Sequence, residues 1–325
     1  MHMPVDNSME THKLPATRFR RLLESGEFVI TAEIGLPCGS DSGLITDAVE
    51  MIQDYCDVIN APDNPLGNPS MSSTVGSYFV LKAGAEPILQ LSTRDRNRIA
   101  LQSELFAAHA LGIRNVLFIS GDHPRHGKMK GARSVYDIDS VEALQMARLL
   151  MDGYDALGED LEGVPEFYLG STFNPYEEPM DLHVLRTEEK MKAGAEFFQT
   201  QAVFDTAKLA EFLEASSHLD LRVIAGIIPL QSPEAARFMN EFVPGIVIPE
   251  GMIERLDVAA DGLEEEELLQ ATKPLGIEIA LETIKELRHM DGIHGLHIMG
   301  VGWIESVAEI VKQAGFYPRP KRDDL

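Results

Sequence analysis

Six side chains that can carry a proton or a directed hydrogen bond stand at the ends of short apolar runs: Glu33, Asn60, Gln90, Asp122, Thr172 and Gln201. Glu33 closes the run FVITAEIG, Asn60 lies in DVINA and Gln90 in PILQL. Asp122 follows NVLFISG, Thr172 ends FYLGST and Gln201 interrupts FFQTQAVFD. Polar groups at the end of a buried strand cost free energy unless paired, so a converging set of them reads as ligand-facing. A carboxyl on an otherwise apolar strand suits a proton donor, because burial disfavours the charged form. Each residue also has a plainer reading: Glu33 as half of a salt bridge, Asp122 as a turn cap after Gly121, Gln90 and Gln201 as structural amides.

The elements that must position these residues follow from hydrophobic periodicity. Strands are expected at residues 28–35, 57–61, 87–91, 115–120, 167–172, from 197 onward, 222–229 and 295–300. Helices are expected at 17–25, 42–55, 71–83, 96–111, 141–151, 180–192, 207–216, 233–242, 275–289 and 304–313. An irregular stretch is expected over 244–251, and an acidic helical insertion over 261–269. Eight strands in strict alternation with helices predict a (β/α)8 TIM barrel, one α/β domain over residues 16–325 after a flexible arm over 1–15. A doubly wound open sheet would want G-x-G-x-x-G after its first strand, and GLPCGSD does not match. In a barrel, the strand ends that carry the six residues form one mouth.

With 52 acidic against 28 basic residues the formal net charge is −24, which argues against nucleic acid or an anionic membrane as partner. Cys38 and Cys56 show no paired spacing, and MHMPVDNSMETH has no apolar core, so a cytoplasmic protein without a signal peptide is expected. No apolar run has the length of a membrane span. His123 and His126 have no third ligand at helical spacing and read as solvated. The acidic run at 264–267 reads as a solvated helix face, and the lone Trp303 as helix-to-barrel packing. No phosphate-binding loop, nucleophile elbow or zinc motif is present. The residues alone describe a barrel enzyme with a carboxylic acid, acting on a neutral organic substrate.

Five ordered blocks make the chain resemble the methylenetetrahydrofolate reductase family. They are TAEIGLP with Glu33, RDRNRIALQ from Arg94, GIRNVLFISGDHP with Asp122, KMKAGAEFFQTQAVFD with Lys190 and Gln201, and VIAGIIPLQSPEAARFM with Phe238. The similarity runs from Phe28 to about Pro320 and is greatest to the short bacterial form, which lacks the regulatory domain of the animal enzymes. The resemblance implies a barrel that holds FAD at its strand ends. It also implies reduction of 5,10-methylenetetrahydrofolate to 5-methyltetrahydrofolate, with NADH or NADPH as electron donor.

The resemblance further implies Glu33 as the acid that protonates folate N10 and opens the five-membered ring. It implies Asp122 beside flavin and pterin, Gln201 as the amide that orients the pterin, and Phe238 as an aromatic stacking on substrate or nicotinamide. Asn60, Gln90, Gly121, Asp122, Tyr136, Asp137, Phe173 and Lys190 fall on flavin-contacting positions, Lys190 able to meet a phosphate. Four positions depart from the family pattern: Gln90 replaces a histidine, Ser120 an arginine, Phe173 a tyrosine and His183 an acid. The departures open FMN and a flavin-free form beside FAD, and a partner electron-donor subunit beside the nicotinamides. A homo-oligomer serving one-carbon metabolism and methionine biosynthesis is expected. Two other readings stay open: a tetrahydrofolate-dependent methyltransferase or demethylase component, and a non-catalytic folate-binding subunit of a complex.

Overall fold

The computed structural model describes residues 16–263 and 265–320, so the arm expected over 1–15 lies outside the described residues. Eight parallel strands close into a barrel in chain order: β1 (Val29–Glu33), β2 (Val58–Ala61), β3 (Pro87–Ser92), β4 (Asn115–Ile119), β5 (Tyr168–Phe173), β6 (Phe197–Ala202), β7 (Val223–Ile227) and β8 (Ile293–Met299). A short helix α1 (Arg18–Glu24) precedes β1. The connections carry α2 (Gly43–Ile52), α3 (Ser73–Lys82), α4 (Arg98–Ala110), α5 (Ser140–Met151), α6 (Met180–Lys192) and α7 (Thr206–Ala215). Between β7 and β8 run α8 (Pro233–Phe242), α9 (Glu250–Ala260) and α10 (Glu265–Leu287), and α11 (Glu305–Gln313) follows β8.

Alternation along each strand sorts side chains between two cores. Ile30, Ala32, Ile59, Leu89, Leu91, Val116 and Phe118 face outward into the layer packed by the helices. Val29, Val58, Ile88, Leu117, Tyr168, Phe197 and Ile224 face the axis at the N-terminal end, where α1 inserts Phe19, Leu22 and Leu23. The Phe19 ring meets Phe197 edge-on at 5.0 Å and Tyr168 at 5.7 Å, so this end is plugged. Across it, Asp57 accepts from the Ile30 backbone at 2.8 Å and pairs with Arg18 at 3.0 Å and Arg319 at 2.6 Å. One buried carboxylate thereby ties the first helix and the C-terminal tail to the barrel.

The region between β7 and β8 differs from the sequence expectation. Helix α9 stands where no helix is expected, and α10 runs unbroken through Pro274 in place of an acidic insertion and a separate helix. Proline removes one ladder bond and normally ends a helix. Here tertiary contacts hold the turn together. The Thr272 hydroxyl bonds the carbonyls of Leu268 and Gln231, and at Gly276 a Cβ would overlap the Leu230 carbonyl. Trp303 packs against the outer core as expected, with the Lys273 ammonium 4.8 Å above its ring.

Candidate active site

The C-terminal strand ends surround a cleft of about 410 Å³, a size ordinary for a cofactor or small-ligand site. Inward positions two residues above the plug supply its floor: Thr31 on β1, Asn60 on β2, Gln199 on β6 and His297 on β8. All four are buried and bonded to one another. Asn60 Nδ2 donates to Gln199 Oε1 at 2.7 Å, and Gln199 Nε2 donates to Asn60 Oδ1 and to Thr31 Oγ1, both at 3.2 Å. Thr31 Oγ1 lies 2.8 Å from His297 Nδ1. Full pairing is what makes a buried polar layer tolerable in a barrel interior.

Glu33 is the next inward residue on β1 and reaches the cleft with its side chain 22% exposed. Its Oε2 accepts from Gln90 Nε2 at 2.8 Å, and His297 Nε2 faces the same oxygen at 3.7 Å. Asp122 lines the cleft from the loop after β4. That loop is stapled. Arg94, 1% exposed, donates to the Asp122 carbonyl at 3.0 Å and the Asn64 carbonyl at 3.0 Å while pairing with Asp95 at 2.6 Å. Tyr136 Oη donates to the Gly121 carbonyl at 3.0 Å. Gly121 has φ +80°, and a Cβ there would overlap the Ser92 hydroxyl, so only glycine fits the turn that presents Asp122.

The opposite wall is cationic. His183, Arg186, Thr187 and Lys190 share one face of α6 at helical spacing, and all line the cleft. Lys190 Nζ donates to the Thr172 carbonyl at 2.6 Å; burial first, and then the Arg186 charge, push its pKa down to about 8. The Ser120 and Ser140 hydroxyls sit 3.5 Å apart on the same cleft, and His183 pairs with Glu177 at 2.7 Å. Gln201 follows an irregularity in the β6–β7 ladder: the Thr200 hydroxyl accepts from Gly226 N at 2.9 Å in place of a strand partner. Gln201 Nε2 then reaches the Pro244 carbonyl at 3.2 Å, joining β6 to the loop after α8.

Of the residues singled out from sequence, Glu33, Gln90, Gly121, Asp122, Phe173, Lys190 and Gln201 line one cleft, with Thr172. Asn60 lies beneath it in the amide floor. Tyr136 and Asp137 are outside the cleft lining: Tyr136 touches it only through the Gly121 carbonyl, and Asp137 is paired with Arg98 at 2.8 Å. Phe238 is 52% exposed on α8, outside the cleft lining, with its ring 5.1 Å from Phe242. His123 caps its own turn by accepting from Arg125 N at 3.2 Å, and Arg125 Nε meets His126 at 3.3 Å. Sequence reasoning leaves out His297, Arg94 and Arg186. The available signal for His297 is the alternation Gly295, His297, Met299 along β8, which puts the imidazole on the inward face beside Thr31.

A family model described as Methylenetetrahydrofolate reductase matches residues 18–315. The chain belongs to the methylenetetrahydrofolate reductase family. "Methylenetetrahydrofolate reductase 2" of Schizosaccharomyces pombe is 26% identical over 238 residues, covering 70% of this chain and 35% of that protein. "Probable methylenetetrahydrofolate reductase (NADPH)" of Caenorhabditis elegans is 22% identical over 254 residues, covering 76% of this chain and 35% of that one. The chain therefore spans about a third of the length of these relatives. Among solved structures it is similar to long-chain alkane monooxygenase (LadA), with TM-score 0.53 at 11% identity over 91% of this chain and 93% of that one. EDTA monooxygenase (EmoA) from Chelativorans sp. BNC1 gives TM-score 0.52 at 13% identity over 92% and 96%. At such identities these two likenesses concern the barrel alone.

Proposed function

We propose that this chain reduces 5,10-methylenetetrahydrofolate to 5-methyltetrahydrofolate with a bound flavin, Glu33 acting as the proton donor. The observation that carries the reading is Glu33 itself. It is a carboxyl on an apolar strand, one oxygen held by Gln90 and the other left toward a cleft that Asp122 shares. The donor set fits a phosphate-bearing planar cofactor: cationic Lys190 and Arg186 beside the Ser120, Ser140 and Thr187 hydroxyls suit a phosphate, and Gln90, Gly121 and Asp122 suit a polar ring. Lys190 and Arg186 would hold the phosphate, and Gln90, Gly121, Asp122 and Phe173 the ring, of FAD or FMN. When bound, the flavin supplies the hydride that reduces the substrate's methylene carbon.

The chain's own contribution is acid chemistry and charge. Glu33 delivers its proton to folate N10, which opens the five-membered ring to a cationic iminium. The Asp122 carboxylate lies across the cleft, where a developing positive charge on the folate is stabilised electrostatically. Gln201, fixed to the Pro244 carbonyl, offers its amide edge to the pterin. Phe238, exposed at α8, supplies a face for stacking a substrate or nicotinamide ring.

The experiment is a visible spectrum of purified protein before and after NADH, NADPH and then methylenetetrahydrofolate. A flavin band that bleaches with a nicotinamide and returns with the folate supports the reading and names the donor. Bleaching by dithionite alone points to a partner subunit as donor. A protein that stays colourless with added FAD or FMN contradicts the flavin reading and favours methyl transfer or plain folate binding.

A further inference from the structure

The buried floor of the cleft fixes where one hydrogen sits. Gln199 Nε2 carries two hydrogens, and both are committed, one to Asn60 Oδ1 and one to Thr31 Oγ1. Its Oε1 is taken by Asn60 Nδ2. Thr31 Oγ1 accepts from Gln199, and the acceptor this layer offers to its own hydrogen is His297 Nδ1, 2.8 Å away. An Nδ1 that accepts leaves the neutral imidazole with its hydrogen on Nε2. His297 is 3% exposed, with Nδ1 turned to Thr31 and the ring at the cleft floor. Its Nε2 points at Glu33 Oε2, 3.7 Å away. Glu33 is also the one titratable side chain on the two strands that flank β8, since β7 (VIAGI) has none.

We infer that His297 is a positioning residue held as the Nε2–H tautomer. Together with Gln90 it crowds Oε2 of Glu33 with N–H donors and leaves Oε1 to carry the transferable proton. The inference rests on the proposed reductase reading, because it assigns the atom of Glu33 that does the donating. In that step the Oε1–H bond breaks, an N–H bond forms at the substrate amine, and the negative charge appears on the carboxylate. Both donors then face that charge. A neutral donor binds a carboxylate more strongly than a neutral acid, so Gln90 and His297 favour release of the proton. The 3.7 Å separation is one that closes as the charge develops, as hydrogen bonds in unliganded sites commonly do. A buried polar chain running from Asn60 on β2 through Gln199 on β6 and Thr31 on β1 to His297 on β8 thus reaches the acid from the cleft floor.

The test reads the ring directly. Two-bond ¹H–¹⁵N correlation on ¹⁵N-labelled protein without substrate distinguishes the two neutral tautomers, and H297Q identifies the His297 signals by their loss. An Nε2–H pattern at neutral pH is expected; an Nδ1–H pattern or an imidazolium overturns the inference. Removing Thr31's hydroxyl in T31V should convert the pattern to a mixture, and an unchanged pattern would show that Thr31 does not set it. In turnover, H297L should lose about 10- to 100-fold in kcat, the value of one hydrogen bond to a charged group, with KM for the folate nearly unchanged. H297Q keeps an N–H donor and should recover most of that loss. Equal losses in H297L and H297Q, or a loss in KM alone, would overturn the positioning role. The ring spectrum needs no substrate, so it reports the tautomer whether or not the chain proves to be a reductase.

Discussion

At the scale of single residues, the chemistry turns on how each side chain's surroundings set its proton. Replacing Glu33 by Gln keeps the Gln90 contact region and volume but removes the acid. Turnover should fall by about 10²- to 10⁴-fold with the thermal melt unchanged, read by steady-state kinetics beside calorimetry. Lys190 makes a second, independent prediction. Its pKa is pushed down to about 8, so its ammonium is present below that pH and lost above it. Affinity for a phosphate-bearing ligand should weaken as pH rises through about 8. Binding at slightly higher pH should take up a proton, visible in calorimetric titrations run in two buffers of different ionisation heat. The sign for stability is opposite: the unfolded lysine keeps its proton to about 10.5, so the unliganded fold gains stability across that window. Glu33, Gln90 and Asp122 were legible in the sequence because each ends an apolar run. His297 was not, because a histidine between apolar neighbours looks like any satisfied core imidazole until the strand beside it is known.

At the scale of elements, the loop after β4 shows how backbone shape serves the cleft. Gly121 at φ +80° is pressed against Ser92 and Arg94, and Arg94 holds the Asp122 carbonyl. Gly121→Ala should displace the loop and weaken binding of the proposed flavin by about tenfold or more, since a left-handed conformation and an overlap together cost about 1–3 kcal/mol. Flavin fluorescence quenching would measure it, with urea unfolding as the control for the fold. The strands and most helices were legible from period and caps; Asp139, for instance, closes a capping box with Glu142 at the start of α5. Helix α9 covers a stretch, 252–260, for which no element is expected. The continuity of α10 was not legible, because proline chemistry at Pro274 argues for a break between the two helical stretches expected there. Contacts of Thr272 and Gly276 with the loop after β7, invisible in sequence, override it. The helix that carries Phe238 was legible from its period, but the exposure of that ring depends on where α8 packs.

At the scale of the molecule, the two barrel ends divide the work. The N-terminal end is plugged by α1 and clamped by Asp57, while the polar inward residues collect at the other. Asp57→Ala would leave Arg18 and Arg319 buried without their carboxylate, a loss of about 3–5 kcal/mol in urea unfolding. Ligand affinity of the folded fraction should be unchanged, because the clamp and the cleft lie at opposite ends of the strands. The alternation of eight strands made this architecture readable from the chain alone; the plug was not, since nothing in RFRRLLE says which surface its apolar face will cover. The sharpest test of Glu33 as the acid of a flavin-dependent folate reductase is a single-turnover mixing experiment. Protein carrying reduced flavin is mixed anaerobically with methylenetetrahydrofolate, for wild type and Glu33→Gln side by side. Wild type should show stoichiometric flavin reoxidation with formation of 5-methyltetrahydrofolate, and the variant reoxidation slowed at least about a hundredfold. Equal rates in the two proteins, or a reduced flavin that the folate never reoxidises, would contradict that role.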